Sequence, residues 1–556
     1  MLTTFTRRTL QLVLTTTAIL IASGPLAAQQ LKSALRQLPA DAAQQPATQQ
    51  SATPPQATPP AVTPPQGASQ QPANGPVLQL SIDQAVDMSL ETSLGLKAER
   101  VNVDITAQGI ASAQSAFIPT LTLGFTGNTA QRQSTDFTQG NADISTHNSG
   151  GQGALDQALP WNGTRYHIGW NASRVTTLGG INTFNPQLGS ALTFNVTQPL
   201  WRNFRIDPSR GSVLSSEISH KMADLNLQQR VISTQANVQR AYLNLVGAIK
   251  GQEVAQQNMD IAQDSLRAAR ARVAVGVSPN TDVIQAQAQA ASFGEQLIVA
   301  NSAISTAEDQ LRELILDPGR SDYWSVKLEP TSTILLTDQT IDSDAVIKNA
   351  LANRLDAEAQ RQQIQVTDLN LRVNQNLSHP SLDLQVSYTA TGTAGTQFTY
   401  GSGFPPVVLG ETDRNFTSAL GDAFLGSYPS WTVGVLFGYP IGRSGAEAAV
   451  AQDALTKHQQ EINLQQLQIE IVREVREAIR QVATSYQRVQ ATQAALDATQ
   501  AQLDAQQRRF ETGLTSSFEL QQNQRDLATA RQNDLQAKIS YNLALITLNA
   551  VQKIAQ

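Results

Sequence analysis

Imidazole is the usual metal ligand and the usual general base near neutral pH, so the histidines come first. There are five: His147, His167, His220, His379 and His458. They are scattered, and no two stand at ligand spacing, so no metal centre is expected. The chain has no cysteine, which removes thiol chemistry, disulfides and any sulfur-linked lipid. No glycine-rich phosphate loop is present. His379 precedes Pro380 and reads as a boundary residue rather than a catalytic one. The chain therefore reads as no enzyme, with no cofactor, and any transport through it is passive, with energy supplied by a partner.

Composition narrows the classes further. The 556 residues carry a formal net charge of −6, without a basic patch that would suit nucleic acid. Arg7 and Arg8, then the mostly apolar run from Leu10 to Ala22, then Ala27 and Ala28, predict a secretory signal over 1–28. That run is too short for a membrane anchor. Residues 29–77 are rich in Pro, Gln and Ala and predict an extended or disordered tail, with partner docking as the alternative. No later stretch is apolar enough for a spanning helix. A membrane crossing would have to be made by strands in a closed barrel.

The remaining chain states one pattern twice: helix, alternating strand, loop, alternating strand, then a very long helical hairpin. The first copy covers 78–318 and the second 344–556, with an intervening linker at 319–343. Leu121, Leu123 and Phe125 alternate with small or polar residues, as do Leu192, Phe194 and Val196. In the second copy the apolar rows are Leu382, Leu384, Val386 and Tyr388, then Trp431, Val433, Val435 and Phe437. Period two with one apolar face is a strand signature. Trp161, Trp170, Trp201, Tyr428 and Tyr439 crowd these regions as interfacial aromatics do. Four strands cannot close a lipid-exposed barrel, since about eight is the minimum. Two copies would supply eight strands and three would supply twelve. The Gly/Asn/Thr-rich insert of the first copy, 131–190, reads as a long loop with short strands such as Tyr166 to Trp170. Residues 391–426 read as a shorter loop.

Helical spacing runs without proline from about 209 to 274 and from about 446 to 511. Such a helix is about 100 Å long at about 1.5 Å per residue. Shorter helices are expected over 83–116 and 344–376, with return helices ending near 316 and 551. One short helix stacked on one return helix matches one long helix, which predicts a wall of uniform height. Pro119 and Pro380 mark the change from helix to strand, and Pro199 and Pro440 the change back. Both long helices end at a glycine, Gly276 and Gly513, suited to a left-handed terminus. Ser278 or Thr281 would cap the return helix in the first copy, and Thr515 or Ser516 in the second. Trp324, Val326 and Leu328 predict a strand or strap between the copies. Helical spacing by itself does not tell hollow from solid, and the alternative is an extended coiled-coil spacer or surface structural protein lacking a pore.

The duplicated order, the two Arg-x-x-x-Gly tips and the Gln-Pro-Leu-Trp and Tyr-Pro-Ile-Gly junctions at 198–201 and 439–442 resemble the TolC family of outer membrane efflux proteins. The resemblance spans about 78–553. It implies a mixed α/β membrane protein: a homotrimer with a 12-stranded β-barrel in outer membrane lipid, continued by a 12-helix periplasmic tunnel, each chain contributing four strands. It also implies a periplasmic adaptor protein and an inner membrane transporter as partners. By position, Arg272, Gly276, Ser278, Asp282 and Val283, with their counterparts Arg509, Gly513, Thr515, Glu519 and Leu520, would dock or shape the tips. Asp504 and Glu511 lie near the second tip and are the implied candidates for a periplasmic gate, with solvated surface carboxylates as the alternative. The first-copy loop is longer than a minimal member requires.

Overall fold

The computed structural model describes residues 76–552 apart from 135–142, 180, 333–340, 404–405 and 443. The expected signal, and the tail except its last two residues, lie outside the described residues. Strand β1 (Val77–Leu80) leads into α1 (Ile82–Thr92) and α2 (Leu94–Gln114). Ser81 opens α1 with a capping box: its Oγ accepts from Gln84 N and its own N–H donates to Gln84 Oε1. The single helix expected over 83–116 is two helices. Ser93 leaves the helical conformation at ψ 117 and its side chain caps α2 by accepting from Leu96 N.

Seven strands follow within one antiparallel sheet. They are β2 (Thr120–Arg132), β3 (Ile144–Ala158), β4 (Arg165–Leu178), β5 (Phe184–Pro199), and later β7 (Ser381–Tyr400), β8 (Val408–Arg414) and β9 (Pro429–Gly438). Neighbours run β2–β3–β4–β5–β7. Beyond β7, one lane is shared by β8, against Gly395–Tyr400, and β9, against Ser381–Ala390. The four expected strands are β2, β5, β7 and β9, so the count of four per chain is corrected upward. The 131–190 insert contains two strands of 15 and 14 residues. The reason it reads as loop is physical: Gly150, Gly151, Gly153 and Gly169 occupy strand positions and show no side-chain alternation. The 391–426 loop is corrected as well. It holds the upper part of β7, then β8, then α7 (Phe416–Leu425).

After β5 the chain enters α3 (Pro208–Ala274), with Pro208 in its first turn and Asp207 accepting from Ser209 N and Arg210 N. Helix α4 (Asn280–Ile315) returns. Strand β6 (Lys327–Pro330) pairs in parallel with β1. Helices α5 (Ser343–Asn353) and α6 (Leu355–Leu377) repeat the broken pair α1–α2, with the break now at Arg354. Helices α8 (Gly445–Glu511) and α9 (Ser517–Gln552) repeat the long hairpin. The lengths match: α3 and α8 have 67 residues each, and α4 and α9 have 36 each.

Packing sets these helices into a wall. Helix α3 lies against α2 and α4 on one side and against α6 and α9 on the other; α8 lies against α6 and α9. Each long helix is thus lined by a short helix and a return helix. At mid-height Leu80, Val86, Val238, Leu245, Leu311, Ile315 and Leu328 form a buried apolar cluster beneath the β1–β6 pair. Tyr242 sits at its centre, fully buried, donating to Leu80 O at 2.8 Å and accepting from Ser332 N at 2.9 Å. This joins the strand that opens the first repeat to the strap in the linker that follows it.

Candidate membrane wall and helical tips

Among the described residues no helix is long and apolar enough to cross a membrane, so the sheet is the candidate crossing. Its register carries the argument. Leu121 pairs with Leu155, Leu155 with Ile168, Ile168 with Phe194, Phe194 with Tyr388 and Tyr388 with Trp431. One apolar row therefore crosses six strands without a break. The neighbouring positions form a polar row on the opposite face: Thr120, Asp156, His167, Asn195, Ser387 and Thr432. Within it His167 Nδ1 lies 2.7 Å from Asp156 Oδ1, and Ser387 Oγ donates to Asn195 Oδ1 at 2.6 Å. Leu123, Phe125, Trp431, Val433 and Val435 are exposed. An exposed apolar band opposite a hydrogen-bonded polar row suits oil on one side and water on the other.

Helix α7 lies on the apolar face over β5 and β7. A Cβ at Gly392 would fall 1.9 Å from Ala419 O, so the helix backbone rests directly on the sheet at that glycine. Ala390, Ala394, Ala419 and Ala423 are buried there, while Phe424 and Leu425 point away and are exposed.

The junctions are built around the four prolines. Pro119 immediately precedes β2 and Pro380 precedes β7; Pro199 ends β5 and Pro440 follows β9. Leu200 N donates to Leu382 O at 2.7 Å, and Asn203 N donates to Asn376 Oδ1 at 2.6 Å. The Trp201 and His379 rings stack with centroids 6.1 Å apart. These contacts tie the return from β5 to the entry into β7.

The two tips share one geometry. Gly276 has φ +76 and Gly513 φ +75. At the first, Val277 N donates to Arg272 O and Gly276 N to Val273 O; at the second, Leu514 N donates to Arg509 O and Gly513 N to Phe510 O. Both are Schellman endings, in which a left-handed residue lets two amides close back on the last turn. Arg272 and Arg509 thus supply matched carbonyls. The return helices differ. In the first tip neither Ser278 nor Thr281 caps: Pro279 holds the cap position without a side-chain bond, and Asp282 N donates to its carbonyl at 3.1 Å. In the second, Ser516 Oγ accepts from Glu519 N, and Thr515 Oγ1 donates to Glu519, which also accepts from Gln506 Nε2 at 3.0 Å. Val283 and Leu520, each following its acidic neighbour, are half-buried.

The structure brings the tips together through a residue that the sequence reading missed. The Arg272 guanidinium carbon stands 4.0 Å from the centroid of the Phe510 ring, a cation–π contact between the two repeats. The shared tip pattern has valine at the matching place, Val273, so duplication hid Phe510. Val275, Val277, Leu514 and Phe518 are exposed at the tips, Val277 and Leu514 at 75% and 78%. Asp504 accepts from Gln500 Nε2 at 2.9 Å, and Glu511 is the exposed last residue of α8. They stand seven residues apart, about two turns, and so share a helix face.

Charges elsewhere tie helices together. Asp368 of α6 receives Lys457 of α8 at 2.7 Å and Arg372 at 2.5 Å. The Lys457 hydrogen bond holds the Asp368 carboxyl below the usual carboxylate range. Burial pushes Glu308 of α4 upward, opposed by Arg312 and Lys327.

A sheet with one lipid-compatible face, set on helices about 100 Å long, defines the class: an outer membrane channel protein built from strands and helices. A family model described as outer membrane efflux protein matches residues 85–315 and 346–551. The chain belongs to that family. No curated protein matches. Among solved structures the chain is similar to the CmeC outer membrane channel of Campylobacter jejuni, at 16% identity, covering 85% of each chain with TM-score 0.60. It is similar to the outer membrane protein VceC of Vibrio cholerae, at 14% identity, covering 85% of this chain and 97% of that one, TM-score 0.59. The open-state MtrE outer membrane channel of Neisseria gonorrhoeae matches at 17% identity over 85% of this chain and 88% of that one, TM-score 0.57.

Proposed function

We propose that three copies of this chain close their sheets into one barrel in the outer membrane and their helices into one periplasmic tunnel, making a passive duct for efflux or secretion. The observation that carries the reading is the unbroken apolar row from Leu121 to Trp431, backed by a polar row and continued by paired 67-residue helices. Water inside and lipid outside is the arrangement those two faces satisfy.

Coupling to a periplasmic adaptor and an inner membrane pump belongs to the tips. Exposed Val275, Val277, Leu514 and Phe518 supply apolar contact area around rigid glycine turns. Arg272, Ser278, Asp282 and Val283, with Arg509, Thr515, Glu519 and Leu520, shape or flank that surface. Asp504 and Glu511 act as gate carboxylates: rings of like charge repel when the tunnel narrows and attract cations at its mouth. The repeats 78–318 and 344–556 then serve as two similar halves of each protomer's share of the wall, joined by the linker.

Detergent-extracted protein placed in a planar bilayer tests the duct. Ion conductance is expected, and a nonconducting, water-soluble monomer refutes the reading. Shortening the tip around Gly513 is expected to abolish export while the barrel still assembles; retained export removes the docking role.

A further inference from the structure

We infer that the β3–β4 hairpin is barrel wall, so that in the barrel proposed above each chain contributes six strand lanes rather than four. The inference rests on the channel reading above.

Strand β2 does not touch β5. It reaches the sheet only through β3 and β4, with registers running from Thr120↔Asp156 to Arg132↔Ile144 and from Ala158↔Arg165 to Ser145↔Leu178. Folding the hairpin into the lumen or over the mouth would break two ladders and strand β2 alone. The faces also agree. Leu155, Ile168 and Trp170 fall on the apolar side with Leu121 and Phe194, while Asp156 and His167 fall on the polar side with Asn195. On the apolar side, glycines of β3 accommodate bulky neighbours from β2. A Cβ at Gly151 would stand 3.2 Å from the Phe125 ring, and one at Gly153 would stand 3.2 Å from Leu123 Cδ2. Phe125 and Leu123 therefore lie across the glycines and complete the apolar surface, as aromatic side chains do over glycine in built sheets.

An inserted hairpin adds an even number of strands, so it preserves both strand direction and side-chain parity. That is why the wall tolerates it. The lanes number six because β8 and β9 lie end to end beside β7. At the edges, β2 has 13 residues and β9 has 10, both nearly all exposed, each long enough to span a bilayer as a tilted strand. They run in opposite directions, so head-to-tail closure between copies is antiparallel throughout. Open edges in hydrocarbon leave amides unpaired, and a second copy is the occupant that satisfies them. Three copies of six lanes make 18 strands, about 1.5-fold the diameter of the 12-strand barrel that four lanes would make.

A density map of the detergent-extracted particle tests this directly. Six wall strands per protomer are expected. A barrel with four per protomer and the hairpin off the wall overturns this inference alone, whereas a particle with no barrel overturns the channel reading too. Joining Arg132 to Thr183 through an Asn-Gly turn removes the hairpin and brings β2 onto β5 with Leu121 level with Phe194. The barrel of this variant is expected to shrink by about one third in diameter; an unchanged diameter refutes the proposal. Should the variant fail to assemble, the natural absence of cysteine allows single-cysteine scanning of the full chain. Ala154→Cys and Gln152→Cys are expected to react with a charged thiol reagent and lower conductance, while Leu155→Cys and Ile168→Cys resist it. Loss of this alternation places the hairpin elsewhere.

Discussion

The helical parts of the two repeats are near copies of one another, and the sheet parts are not. Ser343 follows Ile82 by 261 positions at the start of the paired helices, and Gly445 follows Pro208 by 237 at the start of the long ones. The second offset then holds through both tips and to the ends of the return helices: Gly276 and Gly513, Ile315 and Gln552. The whole 24-residue difference therefore lies between, in the sheet. Buried positions follow the same offset, with Val238, Ala241 and Leu245 matched by Val475, Ala478 and Val482. A helical wall in which short and return helices stack against one long partner cannot absorb an insertion without misaligning its tips. A sheet can, by adding a hairpin sideways. The first repeat holds β3 and β4 there, and the second holds β8 and α7.

This contrast is open to attack at several points. The largest effect is expected at the equator, where duplication gives way to a unique contact. Tyr242→Ala should cost about 3–5 kcal/mol through the cavity and two lost hydrogen bonds, read as a lower temperature for loss of the assembled particle. Tyr242→Phe keeps the ring and should cost about 1–2 kcal/mol, leaving Leu80 O and Ser332 N without the hydroxyl. A negligible effect of both would mean the β1–β6 strap does not pin the wall.

Next come the tips, where the repeats should behave alike. Gly276→Ala and Gly513→Ala meet open space, so only the left-handed backbone resists them. Each should cost about 1–2 kcal/mol, visible as faster amide exchange in the last helical turn. Unequal penalties would break the equivalence of the two hairpins. Smaller still is the cross-repeat contact. A double-mutant cycle on Arg272→Ala and Phe510→Leu should return about 0.5–1 kcal/mol of coupling, and additivity would show that the two tips are independent.

The smallest effect is electrostatic. Asp368 has a folded-state carboxyl pKa below its ordinary value, so its ion pairs stabilise the fold above that ordinary value, about 3.9. The contribution is lost as pH falls through the depressed folded value. Asp368→Asn should lower the thermal midpoint at neutral pH, and the gap from the parent should close in acid. A gap independent of pH would assign the effect to packing between α6 and α8 instead.

Much of this was legible in the residues. The proline-free runs with helical spacing located α3 and α8 to within one residue at either end, because periodicity over many turns averages out local noise. The prolines at 119, 199, 380 and 440 stand at the sheet boundaries for the same local reason that proline cannot continue a helix or a ladder. The breaks at Ser93 and Arg354 were invisible, since each depends on a side chain finding a particular partner. Strands β3 and β4 were hidden because glycine carries no sign of which face it occupies. Helix α7 was hidden because its amphipathic character shows only once Gly392 is known to receive it. Phe510 was passed over because its meaning lies in Arg272 of the other repeat.

The sequence by itself determined the local states: which stretches are helical, where the glycine turns fall, and that alternating rows can present one face to oil. Those follow from backbone sterics and side-chain polarity within a few residues. Only the tertiary structure decided the sheet order, the alignment of six apolar rows into one band, and the meeting of the two tips. Such pairings join residues up to about 240 positions apart, where the free energy resides in shared registers and buried contacts that no single segment carries.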